Sequence, residues 1–279
     1  MNPIDQMFAS LKEEGRSALI PFLTIGDPDL ETSLKLIKEM EAAGADMIEL
    51  GVPYSDPLAD GPVIQNASQR ALEHNVTIRD CVALAKRARS EGVQLPFVLF
   101  TYYNPVLQSG PEHFFKQLAE QEISGIIIPD LPHEEDGEIR AIAERNHIHL
   151  IPLVAPTSKE RIEKITARAS GFVYCVSSLG VTGMRSDFDK GVDEFLSTVK
   201  ASTSVPIAIG FGISRPEHVA RFSRICDGIV VGSAIVRKVE ENLELLRSNA
   251  EQSKGLAEIR QFVAGLKSGT DRNAYEATS

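Results

Sequence analysis

A (β/α)8 barrel, with an extra N-terminal helix and additional helices in its loops, is the fold class this α/β sequence predicts. Eight short apolar runs recur along the 279 residues, at 18–24, 47–50, 97–101, 125–128, 149–154, 172–176, 206–210 and 228–231. Each is rich in β-branched residues and does not alternate with polar ones, which is the pattern of parallel strands buried on both faces. Amphipathic stretches separate the runs, and eight such alternations over about 250 residues match a closed barrel inside a ring of helices. A doubly wound open sheet fits less well. It usually has fewer strands and a Gly-rich turn after the first, where this chain carries Thr24-Ile25-Gly26-Asp27-Pro28.

The elements follow in order. Asn2 and Pro3 form a cap and first-turn pair, and Ile4, Met7, Phe8 and Leu11 fall at helical spacing, so a helix precedes the first strand and is expected to plug the barrel bottom. Leu34, Ile37 and Met40 give the first outer helix its apolar stripe; Phe114, Phe115 and Leu118 do the same after the third strand. The gap between the second and third strands is the longest, with room for a polar loop and two helices at 63–72 and 78–90. No linker-like tract interrupts the pattern, so residues 1–267 are expected to form one barrel domain. Residues 268–279 have no apolar period and are expected to be a flexible tail.

Composition excludes several function classes. At 43% apolar residues the chain can build a large core, and a formal charge of -10 argues against nucleic acid or an anionic membrane as partner. The first residues have neither the positive start nor the apolar run of a secretory signal, and no stretch approaches the roughly 20 apolar residues of a membrane span. Cys81, Cys175 and Cys226 are odd in number and far apart, which suits buried free thiols in a reducing, cytoplasmic compartment. His147 and His149 are the one close histidine pair; without a third ligand nearby they read as a strand edge, and no metal site is expected.

Active sites of such barrels lie at the C-terminal ends of the strands. The most informative segment is Ile48-Glu49-Leu50-Gly51-Val52-Pro53-Tyr54-Ser55-Asp56-Pro57-Leu58-Ala59-Asp60-Gly61. It ends an apolar strand on one carboxylate and delivers a second, Asp60, through a loop shaped by proline and glycine. A carboxylate at the end of a buried strand pays a desolvation cost, so it is paired, hydrogen-bonded or kept for acid/base work. No lysine stands at a strand end, which disfavours a Schiff-base aldolase, and no histidine cluster does, which disfavours a zinc aldolase. Three glycine turns follow the last three strands: Gly180-Val181-Thr182-Gly183, Gly210-Phe211-Gly212 and Gly232-Ser233. Their backbone N–H groups and a helix starting at Ser233 make a phosphate cradle in the place this fold keeps for one. Phe22, Ile64, Phe100, Ile127, Leu153, Tyr174 and Phe211 are the candidate apolar wall, and for Ile127 and Leu153 a purely structural place in the barrel core is an open alternative. Such a wall between two acids and a phosphate cradle suits a flat aromatic substrate with a phosphorylated tail.

The segment around Glu49 and Asp60, together with the glycine turns in their order and spacing, resembles the tryptophan synthase alpha-subunit family over nearly the whole chain. The resemblance implies a lyase that cleaves indole-3-glycerol phosphate to indole and glyceraldehyde 3-phosphate by metal-free retro-aldol chemistry. It implies that Glu49 handles the C3 proton and the side-chain hydroxyl while Asp60, kept charged by a polar loop, accepts a hydrogen bond from the indole N–H. Tyr102, Tyr174 and Thr182 are then substrate neighbours, and Gly183, Gly212, Gly232 and Ser233 hold the phosphate. No cofactor is expected in this chain; pyridoxal phosphate belongs to a beta-subunit partner in an alpha2-beta2 complex, which Asp56, Pro57, Asn104, Pro129 and Asp130 would face. Loops 53–61 and 178–190 are expected to close over ligand. Ser177-Ser178-Leu179 and Met184-Arg185 depart from some relatives, which bears on the closed-loop contacts and not on the reaction. A partner-free lyase, a non-catalytic activator and another phosphate-binding barrel are the alternatives that the residues leave open.

Overall fold

The computed structural model describes residues 1–176, 190–210 and 212–272. Its strands are β1 (Ala18–Thr24), β2 (Ile48–Gly51), β3 (Phe97–Phe100), β4 (Ile123–Ile127), β5 (His149–Leu150), β6 (Leu153–Val154), β7 (Val173–Val176), β8 (Ile207–Gly210) and β9 (Gly228–Val231). All pair in parallel, in the order β5-β4-β3-β2-β1-β9-β8-β7-β6. The two ends of that order are one stretch of chain. β5 runs into β6 through Ile151 and Pro152, so the wall closes on itself as a barrel. The single strand expected over 149–154 is split because Pro152 has no N–H to give to a ladder. Pairing passes through the break on its neighbours, with Ile151 N–H donating to Ile126 O at 2.9 Å and Tyr174 N–H to Pro152 O at 3.0 Å.

Side chains separate into two apolar layers according to strand parity. Leu19, Leu23, Ile48, Leu50, Leu99, Ile126, Val173 and Ile209 pack outward against the helices. Ala18, Ile20, Phe22, Met47, Val98, Phe100, Ile127, Phe172, Tyr174, Ala208 and Val230 fill the barrel. Both faces are dry, which is why the strands show no polar alternation in sequence.

The N-terminal helix, Pro3–Glu13, closes the bottom of the inner layer with buried Ile4, Phe8 and Leu11. Its cap works twice: Asn2 Oδ1 accepts from Ile4 N–H at 2.9 Å, while Asn2 Nδ2 donates to Ser124 O at 2.9 Å and His147 O at 3.0 Å. Phe8 meets Phe172 at 5.7 Å between ring centroids, and Ile4 occupies the space a side chain on Gly125 would need. His149 Nε2 lies 3.0 Å from Asp5 Oδ1 on this helix, so that histidine braces the plug.

The two helices of the long gap span Pro62–Glu73 and Ile78–Ser90, the second opened by a capping box between Thr77 and Asp80. One expectation fails. Residues 268–272 are not loose: Ser268–Thr270 form a 3-10 turn, Ser17 N–H donates to Thr270 O at 3.0 Å, and Arg272 reaches Ser17 Oγ, Cys226 O and Asp227 Oδ1 at 3.0, 2.8 and 3.1 Å. These anchors are polar and carry no apolar period, so the sequence pattern does not register them; residues 273–279 lie outside the described residues. Phe8→Ala is expected to cost about 3–4 kcal/mol in urea unfolding; a loss below about 1 kcal/mol would show that the helix does not carry the barrel bottom.

Candidate active site

Glu49 is the second residue of β2. Its neighbours Ile48 and Leu50 point outward, so parity turns Glu49 into the barrel, in register between Phe22 of β1 and Val98 of β3. It is 2% exposed. Burial raises its pKa to about 8, and the nearby charge of Asp60 pushes in the same direction.

Asp60 arrives through the loop that follows β2. Tyr54 stacks on Tyr102 at 4.8 Å and 21° between planes, and Ala59 N–H donates to the Tyr102 oxygen at 3.1 Å. The Tyr102 hydroxyl in turn donates to Asp60 Oδ2 at 3.0 Å, and Gln65 Nε2 donates to the Asp60 backbone carbonyl at 2.8 Å. Tyr102 thus fastens the acidic loop to the barrel mouth. Burial raises the pKa of Asp60 to about 6, with the Tyr102 hydrogen bond as the opposing, lowering influence. The two acids are still spread in the required sense, since near pH 7 Glu49 is mostly protonated and Asp60 mostly ionised.

Tyr174 is buried in the same inner layer. Its phenol is held far from ionisation by burial first and then by Glu49 and Asp60, so the three groups lie within electrostatic reach of one another. A Cβ on Gly210 would collide with that phenol, and one on Gly51 would collide with the Phe22 ring. Phe22 meets Phe100 edge-on at 5.9 Å, and Phe100 meets Tyr102 edge-on at 6.2 Å. Ile64 and Leu153, both half-buried, pack against this inner cluster, and Ile127 is enclosed within it. The predicted wall residues Phe22, Ile64, Phe100, Ile127, Leu153 and Tyr174 therefore come together, with Tyr102 in the same inner cluster.

On the far side Gly232 precedes the helix Ser233–Glu241, whose first N–H groups have no partners within the helix. Ile64 Cδ1 lies 3.9 Å from where a Cβ on Gly232 would stand, so the helix that follows Asp60 touches the glycine turn. Gly212 adopts φ +72, a backbone state that favours glycine. Thr182, Gly183, Phe211 and most of the expected loop 178–190 lie outside the described residues. Among the described residues no group of three or more His, Cys, Asp or Glu side chains could hold a metal ion.

Asp56 and Asn104 are exposed at the mouth, and Pro57, Pro129 and Asp130 are half-buried. Asp130 also serves locally, where its Oδ1 accepts from Tyr103 N–H at 2.8 Å at the start of the helix Tyr103–Ser109. The same rim carries two large apolar side chains that the strand and helix patterns do not single out, Leu58 at 85% and Leu107 at 48% exposure. A leucine amid Ser, Asp and Pro in a loop is the signal that points to the first of them.

Comparison with known proteins agrees with this geometry. A family model described as tryptophan synthase alpha chain matches residues 8–267. The chain belongs to that family. It is 51% identical over 251 residues to the tryptophan synthase alpha chain of Halalkalibacterium halodurans, covering 90% of this chain and 95% of that one. It is 52% identical over 247 residues to the alpha chain of Geobacillus stearothermophilus, covering 88% and 92%. The crystal structure of tryptophan synthase subunit alpha from Legionella pneumophila superposes with a TM-score of 0.87 at 32% identity, over 97% of this chain and 99% of the other. A Mycobacterium tuberculosis tryptophan synthase structure superposes at 0.85 and 33% identity, over 96% and 98%. As an alpha chain the protein is a carbon–carbon lyase of tryptophan biosynthesis, cleaving indole-3-glycerol phosphate, and membership implies a beta-subunit partner.

Tyr102→Phe removes the hydrogen bond that holds Asp60 down, so the ionisation midpoint of Asp60 is expected to rise above about 6. Carboxylate NMR titration of the labelled chain checks this, and an unchanged or lower midpoint would refute the proposed hold.

Proposed function

We propose that Glu49 and Asp60 divide the retro-aldol cut of indole-3-glycerol phosphate between them. The carbon–carbon bond breaks once C3 of the indole is protonated and the side-chain hydroxyl gives up its proton. Glu49, protonated near neutral pH, gives its proton to C3; the ring becomes an indolenine whose N–H carries positive charge. Asp60, ionised and held by Tyr102, accepts a hydrogen bond from that N–H and stabilises the charge. Glu49, now a carboxylate, takes the proton of the hydroxyl on the adjoining carbon. The bond electrons return to the ring, the oxygen becomes the aldehyde of glyceraldehyde 3-phosphate, and Glu49 is protonated again, so the cycle is balanced.

The observation that carries this reading is the pair of carboxyl groups around one apolar space, with pKa values near 8 and near 6. Gly212, Gly232 and Ser233 would hold the phosphate, and Phe22, Ile64, Phe100, Ile127, Leu153 and Tyr174 would enclose the indole. Gly183 and Phe211 are assigned to the phosphate and the indole from their places after strands, and Thr182 to the substrate by family resemblance. No cofactor takes part in this chain's steps, and pyridoxal phosphate is assigned to the beta partner of a cytoplasmic alpha2-beta2 complex. Asp56, Pro57, Asn104, Pro129 and Asp130 would meet that partner, with Leu58 and Leu107 as apolar contacts; exposed leucines of this size fit an interface better than free solvent.

The sign of the pH dependence follows. The free enzyme needs Asp60 ionised and Glu49 protonated, so kcat/KM is expected to be bell-shaped, rising through about 6 and falling through about 8. A flat profile between pH 5 and 9 would defeat the assignment. Glu49→Gln is expected to reduce indole release by about a thousandfold or more while glycerol 3-phosphate still binds. Stability should move the other way. A raised folded-state pKa means that the contribution of Glu49 to stability is present below its unfolded value and lost as pH rises through about 8. Glu49→Gln should therefore melt higher than the native chain at pH 9, by about 5 °C, with little difference at pH 5.

A further inference from the structure

The helix Pro62–Glu73 links the two ends of the site, and what holds it in place is unusual. It starts just after Asp60, and its first turn carries Ile64 against Gly232. The residues it buries are small, Ala67, Ser68 and Ala71. Small side chains allow close approach but interlock less deeply, and the half-buried Val63 and Ile64 pack only at the first turn, so the apolar face fixes the later turns weakly. Register has to come from elsewhere.

Arg70 supplies it. Its Nε and Nη2 donate to Asp27 Oδ1 and Oδ2 at 2.8 and 2.9 Å, a two-pronged contact with a carboxylate that is 1% exposed. Its Nη1 donates to Glu240 Oε1 at 2.8 Å. Asp27 lies in the turn that leaves β1, and Glu240 lies near the end of the helix Ser233–Glu241. One guanidinium therefore ties together three segments remote in sequence: the β1 turn, the helix that follows the acidic loop and the helix that begins at the phosphate turn. A planar fork fixes orientation as well as distance, which an ammonium cannot do. At a rise of about 1.5 Å per residue, Arg70 stands some 12 Å along the helix from Pro62, so it acts on Asp60 and Ile64 through a rigid lever.

We propose that Arg70 is a positioning residue for the lyase reaction, holding the acidic loop and the phosphate-facing helix at a fixed separation so that both ends of one substrate are met at once. This rests on the assignment of Gly232 and Ser233 to phosphate and of Asp60 to the indole. Misplacement by an ångström is enough to cost up to a hundredfold in such a site.

The test uses the full-length chain, with glycerol 3-phosphate as a binding probe and indole-3-glycerol phosphate as substrate. Glu240→Ala removes only the arm to the phosphate-facing helix and is expected to weaken glycerol 3-phosphate about fivefold and raise KM, with kcat near native. The paired change Arg70→Met with Asp27→Asn removes the clamp without stranding a buried charge; it is expected to raise KM and lower kcat by about tenfold each. Arg70→Lys should not restore either constant, because charge is kept and the fork is lost. Native KM, kcat and glycerol 3-phosphate affinity in the folded double variant would overturn the proposal. Should that variant fail to fold, unchanged affinity in Glu240→Ala overturns it alone. A native chain that does not bind glycerol 3-phosphate refutes the phosphate assignment itself, a separate failure from that of the clamp.

Discussion

Everything at this barrel mouth depends on keeping the carboxyl group of Glu49 out of water. An ionised acid on the inner face of a closed sheet has lost its hydration, and burial and the charge of Asp60 both favour its neutral form. The fold creates that condition in stages. Parity turns Glu49 inward, the aromatic rings of Phe22, Phe100 and Tyr174 replace solvent around it, and the N-terminal helix seals the other end of the barrel with Ile4 and Phe8. A proton donor that works near neutral pH is thus a consequence of dense packing, and its cost in stability is carried by the large apolar inner layer.

Asp60 shows how little contrast is needed between two acids. It too is raised by burial, but less, and the Tyr102 hydroxyl supplies one strong hydrogen bond to its charged form. The separation between about 8 and about 6 brackets neutrality. Because Asp60 sits on a loop and Glu49 on a strand, one acid is placed by the wall and the other by the contacts of its loop. Tyr102 bridges these regimes: it belongs to the stretch after β3, stacks with Tyr54 from the loop and bonds Asp60.

How much of this was legible in the sequence depends on the kind of interaction. Apolar runs and helical stripes report burial along the chain, so the barrel, the N-terminal plug and the two helices after the acidic loop could be read directly. That Glu49 and Asp60 converge at the barrel mouth was legible because the residue types at strand ends are themselves chemical signals. Contacts between segments distant in sequence leave no such trace. Nothing in the string of letters tells that Tyr102 reaches Asp60, that Arg272 binds Asp227, or that Arg70 grips Asp27 and Glu240. The split of the fifth strand at Pro152 was signalled by the proline, but the apolar run on either side outweighed it. The raised pKa of Asp60 is hidden in the sequence for a related reason: polar neighbours in sequence are not the neighbours that determine desolvation.

The glycines of the inner face give the site its shape. Gly51 follows Glu49 by two on β2, and Gly210 ends β8, so both stand at inward positions where other strands carry rings. Each leaves a gap that a neighbouring aromatic fills by lying across it, Phe22 over Gly51 and Tyr174 over Gly210. The tips of both rings, Phe22 Cζ and the Tyr174 hydroxyl, occupy the space in front of a glycine. Rings seated in this way exclude water from the inner layer, which strengthens the hydrogen bonds and charges beside them. Any side chain added at Gly51 would displace the Phe22 ring, which stands in register with Glu49, and so would alter the environment on which the acidity of Glu49 rests. Shape and acidity are therefore one constraint in this site, imposed by the absence of a Cβ at two positions.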